Sequence, residues 1–245
     1  MIIVRVVLTA FACAAVAAGC TSAAAPSGAI DTSAEPTAVA VPSDEIRPFP
    51  QEFAPLAAGT YRLARGSVSE DGEFPPILIS VPAGWEGGGR FLWMPAGEEF
   101  GRIAVQFWEV DQLYGHPCPS RGTLFQPGPT VDDLASALVD IPLRQATQPI
   151  DVTVDGYAGR YLEWSVPADI DFEDCDPDGD EDYFDSWTDT GGGGRYQQGP
   201  GQVDRLWILD IDGARLVIDA YWMPSASSDE SEQLLDVVKS IRFER

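Results

Sequence analysis

The sequence predicts an α+β fold, a single domain in which an antiparallel sheet of hairpins is flanked by about two helices. Three observations indicate this class. Several short runs alternate apolar and polar residues, which is typical of strands with one buried face. Two Asp-Gly pairs separate such runs, and two other segments carry apolar residues at helical spacing. Antiparallel hairpins with two helices favour a layered α+β fold over a doubly wound parallel sheet.

Three strands and a helix are predicted in the first half of the folded body. Apolar or alternating runs at residues 77–81, 91–94 and 103–110 indicate the strands. The helix begins after Thr130, whose hydroxyl group can cap its first turn, and Pro142 ends it.

Two hairpins and a second helix are predicted in the second half. The hairpins span residues 150–166 and 206–222, and each contains an Asp-Gly pair. Such a pair suits a type I′ turn, which requires positive φ at both central residues. The second helix is predicted to be capped by Ser228, and Lys239 and Arg242 lie near its negative end.

Two short motifs of the body resemble the PsbP-like fold, which includes photosystem extrinsic proteins and several actinobacterial lipoproteins. The first is Val-Pro-Ala-Gly-Trp at residues 81–85, and the second is the final order of strand, Asp-Gly turn, strand and helix, followed by Ser-Ile-Arg-Phe at residues 240–243. The resemblance implies an antiparallel sheet flanked by helices and a noncatalytic role. It assigns no functional residue.

The first 20 residues have the organisation of a secretory signal. Arg5 supplies a positive charge, and residues 6–18 form an uncharged apolar run that is too short to span a membrane. Small residues then lead directly to Cys20. This end resembles a bacterial lipoprotein signal peptide with its lipobox, which implies that Cys20 is acylated after cleavage. The alternative is an ordinary secretory signal in which Cys20 is incidental.

The chain is therefore predicted to have three parts. Residues 1–19 are the signal peptide, residues 20–48 are a lipid-anchored disordered tether rich in Ala, Ser, Thr and Pro, and residues 49–245 are the extracytoplasmic domain. The anchor is expected to hold the protein on the extracytoplasmic face of the cell membrane. Lys239 is the single lysine among 15 basic residues, which is typical of high-GC genomes and favours an actinobacterial origin.

Composition and missing motifs favour a noncatalytic function. The net charge is −24, so the surface repels phosphate and nucleic acid is excluded as a partner. The single histidine, His116, lies in a Gly/Pro-rich loop, and the sequence has no G-x-S-x-G or C-x-x-C motif. We expect no catalytic residues, but an envelope module that binds an unknown ligand or protein partner. The alternative is an extracytoplasmic hydrolase that depends on carboxylates alone.

The cysteine content predicts one disulfide. Cys13 leaves with the signal peptide and Cys20 is used for the lipid, so Cys118 and Cys175 remain. An exported pair of this kind normally oxidises. The alternative is two isolated thiols.

An acidic segment at residues 174–185 resembles the calcium loop of an EF-hand. The EF-hand loop places oxygen ligands at positions 1, 3, 5, 7, 9 and 12 and glycine at position 6. Gly179 occupies position 6, whereas Glu181 and Pro177 depart from the pattern. The predicted calcium ligands are Asp174, Asp176, Asp178, Asp180, Asp182 and Asp185. The alternative is a solvated acidic loop that binds no cofactor.

Overall fold

The structure, a computed structural model, describes residues 45–69, 74–96, 99–118, 123–175 and 184–245. It is 47% strand and 14% helix. The described residues form three β-sheets and two α-helices. The predicted α+β class is therefore wrong, because the fold is predominantly β.

The strands are numbered along the chain. Those of the described residues are β1 (Arg47–Pro48), β2 (Ala54–Leu56), β3 (Gly59–Leu63), β4 (Ile77–Val81), β5 (Trp85–Gly88), β6 (Phe91–Ala96), β7 (Glu99–Trp108), β8 (Val110–Tyr114), β9 (Leu124–Phe125), β10 (Gln145–Ala146), β11 (Ile150–Val154), β12 (Tyr157–Ser165), β13 (Phe184–Asp189), β14 (Gly194–Gln197), β15 (Val203–Ile211), β16 (Ala214–Trp222) and β17 (Arg242–Phe243).

A central sheet and two smaller sheets organise these strands. The central sheet has nine strands in the order β10-β12-β15-β16-β7-β6-β5-β2, and β11 also pairs with β12. The two smaller sheets have the orders β1-β3-β4-β17 and β14-β13-β8-β9. Among the described pairs, β1 and β3 run parallel and the others run antiparallel. Arg47 and Pro48, which lie within the predicted tether, form β1.

Both predicted Asp-Gly hairpins are confirmed. In the turn between β11 and β12, Asp155 has φ 47° and Gly156 has φ 92°. In the turn between β15 and β16, Asp212 has φ 54° and Gly213 has φ 97°. These positive values are the ones that a type I′ turn requires.

The two helices begin at capping boxes. In α1 (Val131–Asp140), Thr130 accepts a hydrogen bond from Asp133 N, as predicted for this cap, and the Asp133 carboxylate accepts one from Thr130 N. The α2 helix (Ser228–Lys239) is capped by Ser227, one residue before the predicted Ser228. Ser227 is the cap because it lies three residues before Glu230, and the two side chains form a capping box. Neither helix has the length and apolar composition of a membrane span.

The two faces of the central sheet have different covers. One face packs against α2 and the β1-β3-β4-β17 sheet, and we call it the apolar face. The opposite face packs against α1 and the β14-β13-β8-β9 sheet, and we call it the polar face. Neighbouring residues of a strand point to opposite faces, so Ile218 lies on the first and Asp219 on the second. The apolar face includes Leu92, Ile103, Val105, Phe107, Leu209, Leu216 and Ile218, and the polar face includes Trp108, Trp164, Asp204, Leu206, Val217 and Asp219.

Candidate binding site

A pocket with a volume of about 210 Å³ lies on the polar face, between the central sheet and β14. Six aromatic rings line it, those of Phe53, Phe91, Trp93, Trp108, Tyr196 and Tyr221. Its polar lining includes Gln106, Arg195 and Gln198. We call it the aromatic pocket.

Strand periodicity places several of these rings side by side. Phe91 and Trp93 are two residues apart in β6, so both point to the polar face. The Phe91 ring meets the Trp108 ring of β7 edge to face, with 5.5 Å between ring centroids. Phe53 stacks on Trp93 at 4.2 Å. Because Phe53 is 51% exposed, the aromatic pocket opens to solvent along this ring.

A glycine allows Phe53 to reach this position. A Cβ atom on Gly88 of β5 would lie 2.6 Å from the backbone nitrogen of Phe53 and 2.7 Å from the carbonyl carbon of Glu52. Backbone atoms cannot move aside as the end of a flexible side chain can. The absence of a side chain at Gly88 therefore lets the segment before β2 pass close to β5 and places Phe53 over Trp93.

A buried ion-pair network forms the inner end of the aromatic pocket. Arg195 of β14 is 2% exposed. Its Nη2 donates to Asp204 Oδ1 at 2.5 Å, and its Nε donates to Asp219 Oδ2 at 2.7 Å. Both carboxylates are fully buried, and Gln202 Nε2 also donates to Asp204 Oδ1 at 2.8 Å. One guanidinium thus holds two carboxylates from neighbouring strands of the central sheet.

Burial shifts the protonation of this network. It raises the pKa of Asp219 from its ordinary value of 3.8 to about 7, and the negative charge of Asp204 adds to the rise that Arg195 opposes. For Arg195, burial lowers the pKa, but Asp219 and Asp204 together raise it above its ordinary value. Asp204 Oδ2 and Asp219 Oδ1 have no hydrogen-bond partner among the described residues. Protonation of Asp219 near neutral pH removes the repulsion between the Asp204 and Asp219 carboxylates.

A second arginine balances the charge of the network. The Arg144 guanidinium lies 3.6 Å from the centroid of the Trp164 ring, and its Nη2 donates to Gln197 Oε1 at 2.6 Å and to Ser186 Oγ at 2.9 Å. Burial lowers the pKa of Arg144 to about 9, so the group stays charged at neutral pH. We call Arg144, Arg195, Asp204 and Asp219 the charged cluster. Its formal charges cancel when Asp219 is ionised.

A third arginine holds a run of four glycines, residues 191–194, next to the aromatic pocket. Arg90 lies 4.2 Å from the centroid of the Trp108 ring and forms an ion pair with Asp189. Asp189 also accepts a hydrogen bond from Gly193 N at 2.7 Å. Residues 191–194 therefore belong to the turn between β13 and β14 and to the first position of β14.

A larger groove of about 530 Å³ lies at the beginning of α1, but its charged groups already have partners. Arg160 pairs with both Asp132 and Asp151, whose side chains are 68% and 90% exposed. Arg215 donates to the carbonyl oxygens of Gly128 and Val110. The groove has no aromatic wall. Its carboxylates are exposed and already paired, so the aromatic pocket is the better candidate for a ligand site.

The two carboxylates nearest the aromatic pocket do not reach its interior. Asp204 and Asp219 lie behind Arg195 and do not line the pocket, so neither is in contact with its contents. A general acid or base must lie within hydrogen-bond reach of the reacting atom. Within the described ranges, no three His, Cys, Asp or Glu side chains are placed to hold a metal ion.

The predicted cysteine partners are bonded. Cys118 and Cys175 form a disulfide with 4.4 Å between their Cα atoms. It links the loop after β8 to the end of a 3₁₀ turn (Phe172–Asp174). Phe184 of β13 packs against this disulfide and stacks on Phe172.

Most of the other predicted site residues lie outside the described part of the chain. This holds for the lipidation residue Cys20 and for Asp176, Asp178, Asp180 and Asp182 of the calcium loop. Asp174 ends the 3₁₀ turn and Asp185 lies in β13, so only the two ends of that loop are described. His116 is exposed in the loop after β8.

Sequence reasoning missed the residues of the aromatic pocket and the charged cluster. One signal was present in β16, where Asp219 interrupts an apolar run. Because side chains alternate along a strand, Asp219 points to the same face as Val217 and Tyr221. This position predicts that its charge is buried. No comparable signal marked Arg195 or Phe53, because their roles depend on contacts between distant segments.

Comparison with known proteins finds similarity to solved structures but not to known sequences. No protein-family model matches the chain, and no curated protein matches it in sequence. The structure is similar to the solution structure of cyanobacterial PsbP (CyanoP) from Synechocystis sp. PCC 6803, at 15% identity and a TM-score of 0.33, over 77% of this chain and 94% of that chain. A similarity at this identity and TM-score carries no conclusion about the fold family or the function.

Proposed function

We propose that this protein is a noncatalytic ligand-binding lipoprotein of the cell envelope and that the aromatic pocket is its binding site. The observation that carries this proposal is the combination of an open aromatic wall with a buried charged inner end. Phe53 leaves one side of the pocket accessible, and Arg195 closes the other. A largely apolar cavity with a few fixed polar groups is the usual form of a small-molecule site.

The free-energy cost of burying the charged cluster supports a role for it in function rather than in stability. Taking charges out of water costs several kcal/mol for each ion, and a buried ion pair is poor support for stability. Several of its polar atoms, including Arg144 Nε and Nη1, have no partner among the described residues. Such unpaired groups are expected where a site is preorganised for a ligand rather than where a core is optimised for stability.

The hydrolase alternative has less support. Its two best candidate carboxylates are those of Asp204 and Asp219, and the raised pKa of Asp219 is a property that catalytic acids often have. However, both are fully buried behind Arg195. We expect no hydrolysis of p-nitrophenyl glycosides or p-nitrophenyl esters. A turnover that Asp219→Asn abolishes would contradict this expectation.

A ligand screen tests the binding function. Full-length protein in lauryldimethylamine oxide is screened by thermal shift against a mixed library of amines, carboxylates, aromatics, alcohols and saccharides. At least one compound is expected to raise the Tm, because a ligand that binds only the folded state stabilises it. The rise should be lost in Phe53→Ala and kept in Phe125→Ala. Phe125 is a matched control, 38% exposed and outside the pocket. If no compound raises the Tm, or if both variants lose the rise equally, the proposal is wrong.

Display on the membrane is the second part of the proposal. It is based on the sequence features that lead to Cys20, and it assigns the membrane as partner through the lipid anchor. In Triton X-114 phase partitioning, the wild-type protein should enter the detergent phase and Cys20→Ala the aqueous phase. Recovery of both proteins in the aqueous phase would contradict lipidation.

Calcium binding by residues 174–185 is a further hypothesis from sequence. The disulfide at Cys175 is adjacent to the first predicted ligand, Asp174, so it restricts this end of the loop. Calorimetric titration of oxidised protein with millimolar calcium should give heat and a higher Tm. Neither signal is expected if the segment is only a solvated acidic loop.

A further inference from the structure

The size of the aromatic pocket fits one six-membered ring with small substituents. Its volume of about 210 Å³ is larger than the roughly 150 Å³ of a cavity that binds benzene. It lies below the roughly 300 Å³ at which pockets for drug-sized ligands begin. A long acyl chain or a peptide would therefore extend far outside it.

The walls require a ligand with an apolar surface, and the polar lining requires a ligand with hydroxyl or amide groups. Gln198 lines the pocket, and its Oε1 is buried without a partner among the described residues, so rotation of this side chain can offer the oxygen to a ligand that donates a hydrogen bond. Gln106, 8% exposed, accepts from Trp108 Nε1 with its Oε1, and its Nε2 is the end of this amide that can donate to a ligand. The two glutamines and Arg195 are thus the polar side chains of an otherwise largely aromatic lining.

An anionic ligand does not suit the pocket. Each of the three Arg195 nitrogens already donates to a protein oxygen, of Asp219, Tyr196 or Asp204. The charge of Arg195 is opposed by two carboxylates directly behind it. The whole chain carries −24, which further disfavours the approach of an anion.

A cationic ligand does not suit it either, although aromatic cages often bind cations. Arg90 already lies over the rings of Trp108 and Phe91, at 4.2 and 5.3 Å from their centroids. Arg195 lies 5.1 Å from the centroid of Tyr221. These arginines use the negative ring faces, and a second cation would be close to Arg195.

We propose that the ligand of the aromatic pocket is a neutral saccharide, of which one pyranose ring enters the pocket. A pyranose ring presents C–H groups on its faces and hydroxyl groups at its rim, so it matches aromatic walls with a few polar groups. It carries no charge that Arg195 or the acidic surface would oppose. This inference rests on the proposed function, and it names the ligand class for that site.

The test compares ligand classes by calorimetry on the full-length protein. The detergent is lauryldimethylamine oxide, because a maltoside detergent would itself offer a saccharide. The neutral probes are methyl α-D-glucopyranoside, methyl α-D-mannopyranoside, methyl β-D-galactopyranoside and N-acetylglucosamine. The contrasting probes are glucuronate, tetramethylammonium and benzyl alcohol, which are anionic, cationic and aromatic respectively. At least one neutral pyranoside is expected to bind, with a Kd at least tenfold lower than that of every contrasting probe.

Variants locate the binding. Phe53→Ala and Trp93→Ala are expected to weaken pyranoside binding at least tenfold, whereas Phe125→Ala should leave the Kd within twofold of wild type. Gln198→Leu removes the buried acceptor while keeping similar bulk. It is expected to weaken pyranoside binding and to leave the affinity for benzyl alcohol unchanged or higher.

The outcomes separate this inference from the proposed function. Binding of a contrasting probe but of no pyranoside, with loss in Phe53→Ala, would overturn the saccharide and leave the proposed binding function intact. Pyranoside binding that Phe53→Ala, Trp93→Ala and Gln198→Leu do not change would also overturn the inference, because the sugar would then bind elsewhere. If no pyranoside binds and the broader screen also finds no ligand, both proposals fail.

Discussion

The two faces of the central sheet differ in what they bury. The apolar face packs aliphatic and aromatic side chains against α2, and its one fully buried tryptophan, Trp85, donates its indole N–H to Gln233 Oε1 at 3.0 Å. The polar face buries the charged cluster, and the indole N–H groups of its Trp164 and Trp187 have no partner among the described residues. Eight of the nine buried polar side chains of the described residues lie on or against the polar face, namely Gln106, Ser186, Asp189, Arg195, Gln197, Gln202, Asp204 and Asp219.

The central sheet therefore places most of its stabilising packing on one face and its candidate binding site on the other. Close-packed apolar side chains on the first face contribute most of the stabilisation that burial gives. On the second face, desolvated charges and unpaired donors reduce that contribution. The aromatic pocket opens on this second face, and one of these desolvated charges, Arg195, belongs to its lining.

Arg195→Met is expected to have the largest effect on stability. It leaves Asp204 and Asp219 buried without their shared cation, which lowers the free energy of unfolding by about 4 kcal/mol. The measurement is urea unfolding at pH 8. The quadruple variant Arg144→Met, Arg195→Met, Asp204→Leu, Asp219→Leu removes all four charges of the cluster and should recover most of this loss. If the quadruple variant is less stable than Arg195→Met, the network stabilises the fold and the proposed division is wrong.

Ile218→Ala tests the opposite face of the same strand. Ile218 is fully buried on the apolar face, so the smaller side chain leaves a cavity and lowers the free energy of unfolding by about 3 kcal/mol. Because no pocket residue changes, ligand affinity below the unfolding transition should match wild type. A parallel loss of affinity in calorimetry would show that the two faces are coupled.

Asp219→Asn is expected to change the pH dependence of stability. The pKa of Asp219 rises from 3.8 in the unfolded chain to about 7 in the folded protein. Between these values the folded state keeps a proton that the unfolded state releases, so this group's stabilisation is lost as pH rises towards 7. The variant lacks this loss. Relative to wild type, its Tm should therefore rise between pH 5 and pH 8 by roughly 5 to 10 °C. A constant difference across this range would contradict the raised pKa.

Phe53→Ala is expected to have the smallest effect on stability. The ring is half exposed and mainly stacks on Trp93, so its loss lowers the free energy of unfolding by about 1 kcal/mol. Ligand affinity should nevertheless fall at least tenfold, in contrast to Ile218→Ala. A loss of several kcal/mol in urea unfolding would mean that Phe53 is a core residue and not an exposed wall of a site.

The elements with a strong local signal could be predicted from the sequence. The Asp-Gly hairpins, the α1 cap at Thr130 and strand β4 are where the residue pattern places them, because their determinants lie within a few residues. The fold class could not be predicted in this way. Short strands such as β5, with the sequence Trp-Glu-Gly-Gly, have no period to recognise and form through pairing with β6 and with the more distant β2.

The candidate site shows the same limit. The disulfide partners follow from counting the exported cysteines, and they are joined. Arg195, Asp204 and Asp219 come together only through the packing of β14 on the central sheet, and their hydrogen bonds span 9 and 24 residues. Phe53 depends on the missing side chain of Gly88. Such contacts between segments are invisible to a local pattern.

The most direct test of the division is a two-dimensional NMR spectrum of the tryptophan indole N–H groups during titration with the neutral pyranosides. The protein has seven tryptophans, each assigned by its Trp→Phe variant. Trp93 and Trp108 line the aromatic pocket, whereas Trp85, Trp207 and Trp222 pack on the apolar face. We expect the resonances of the first two to shift in a saturable manner and those of the other three to stay unchanged. Shifts confined to the apolar-face tryptophans, or no shift at either face, would contradict the account.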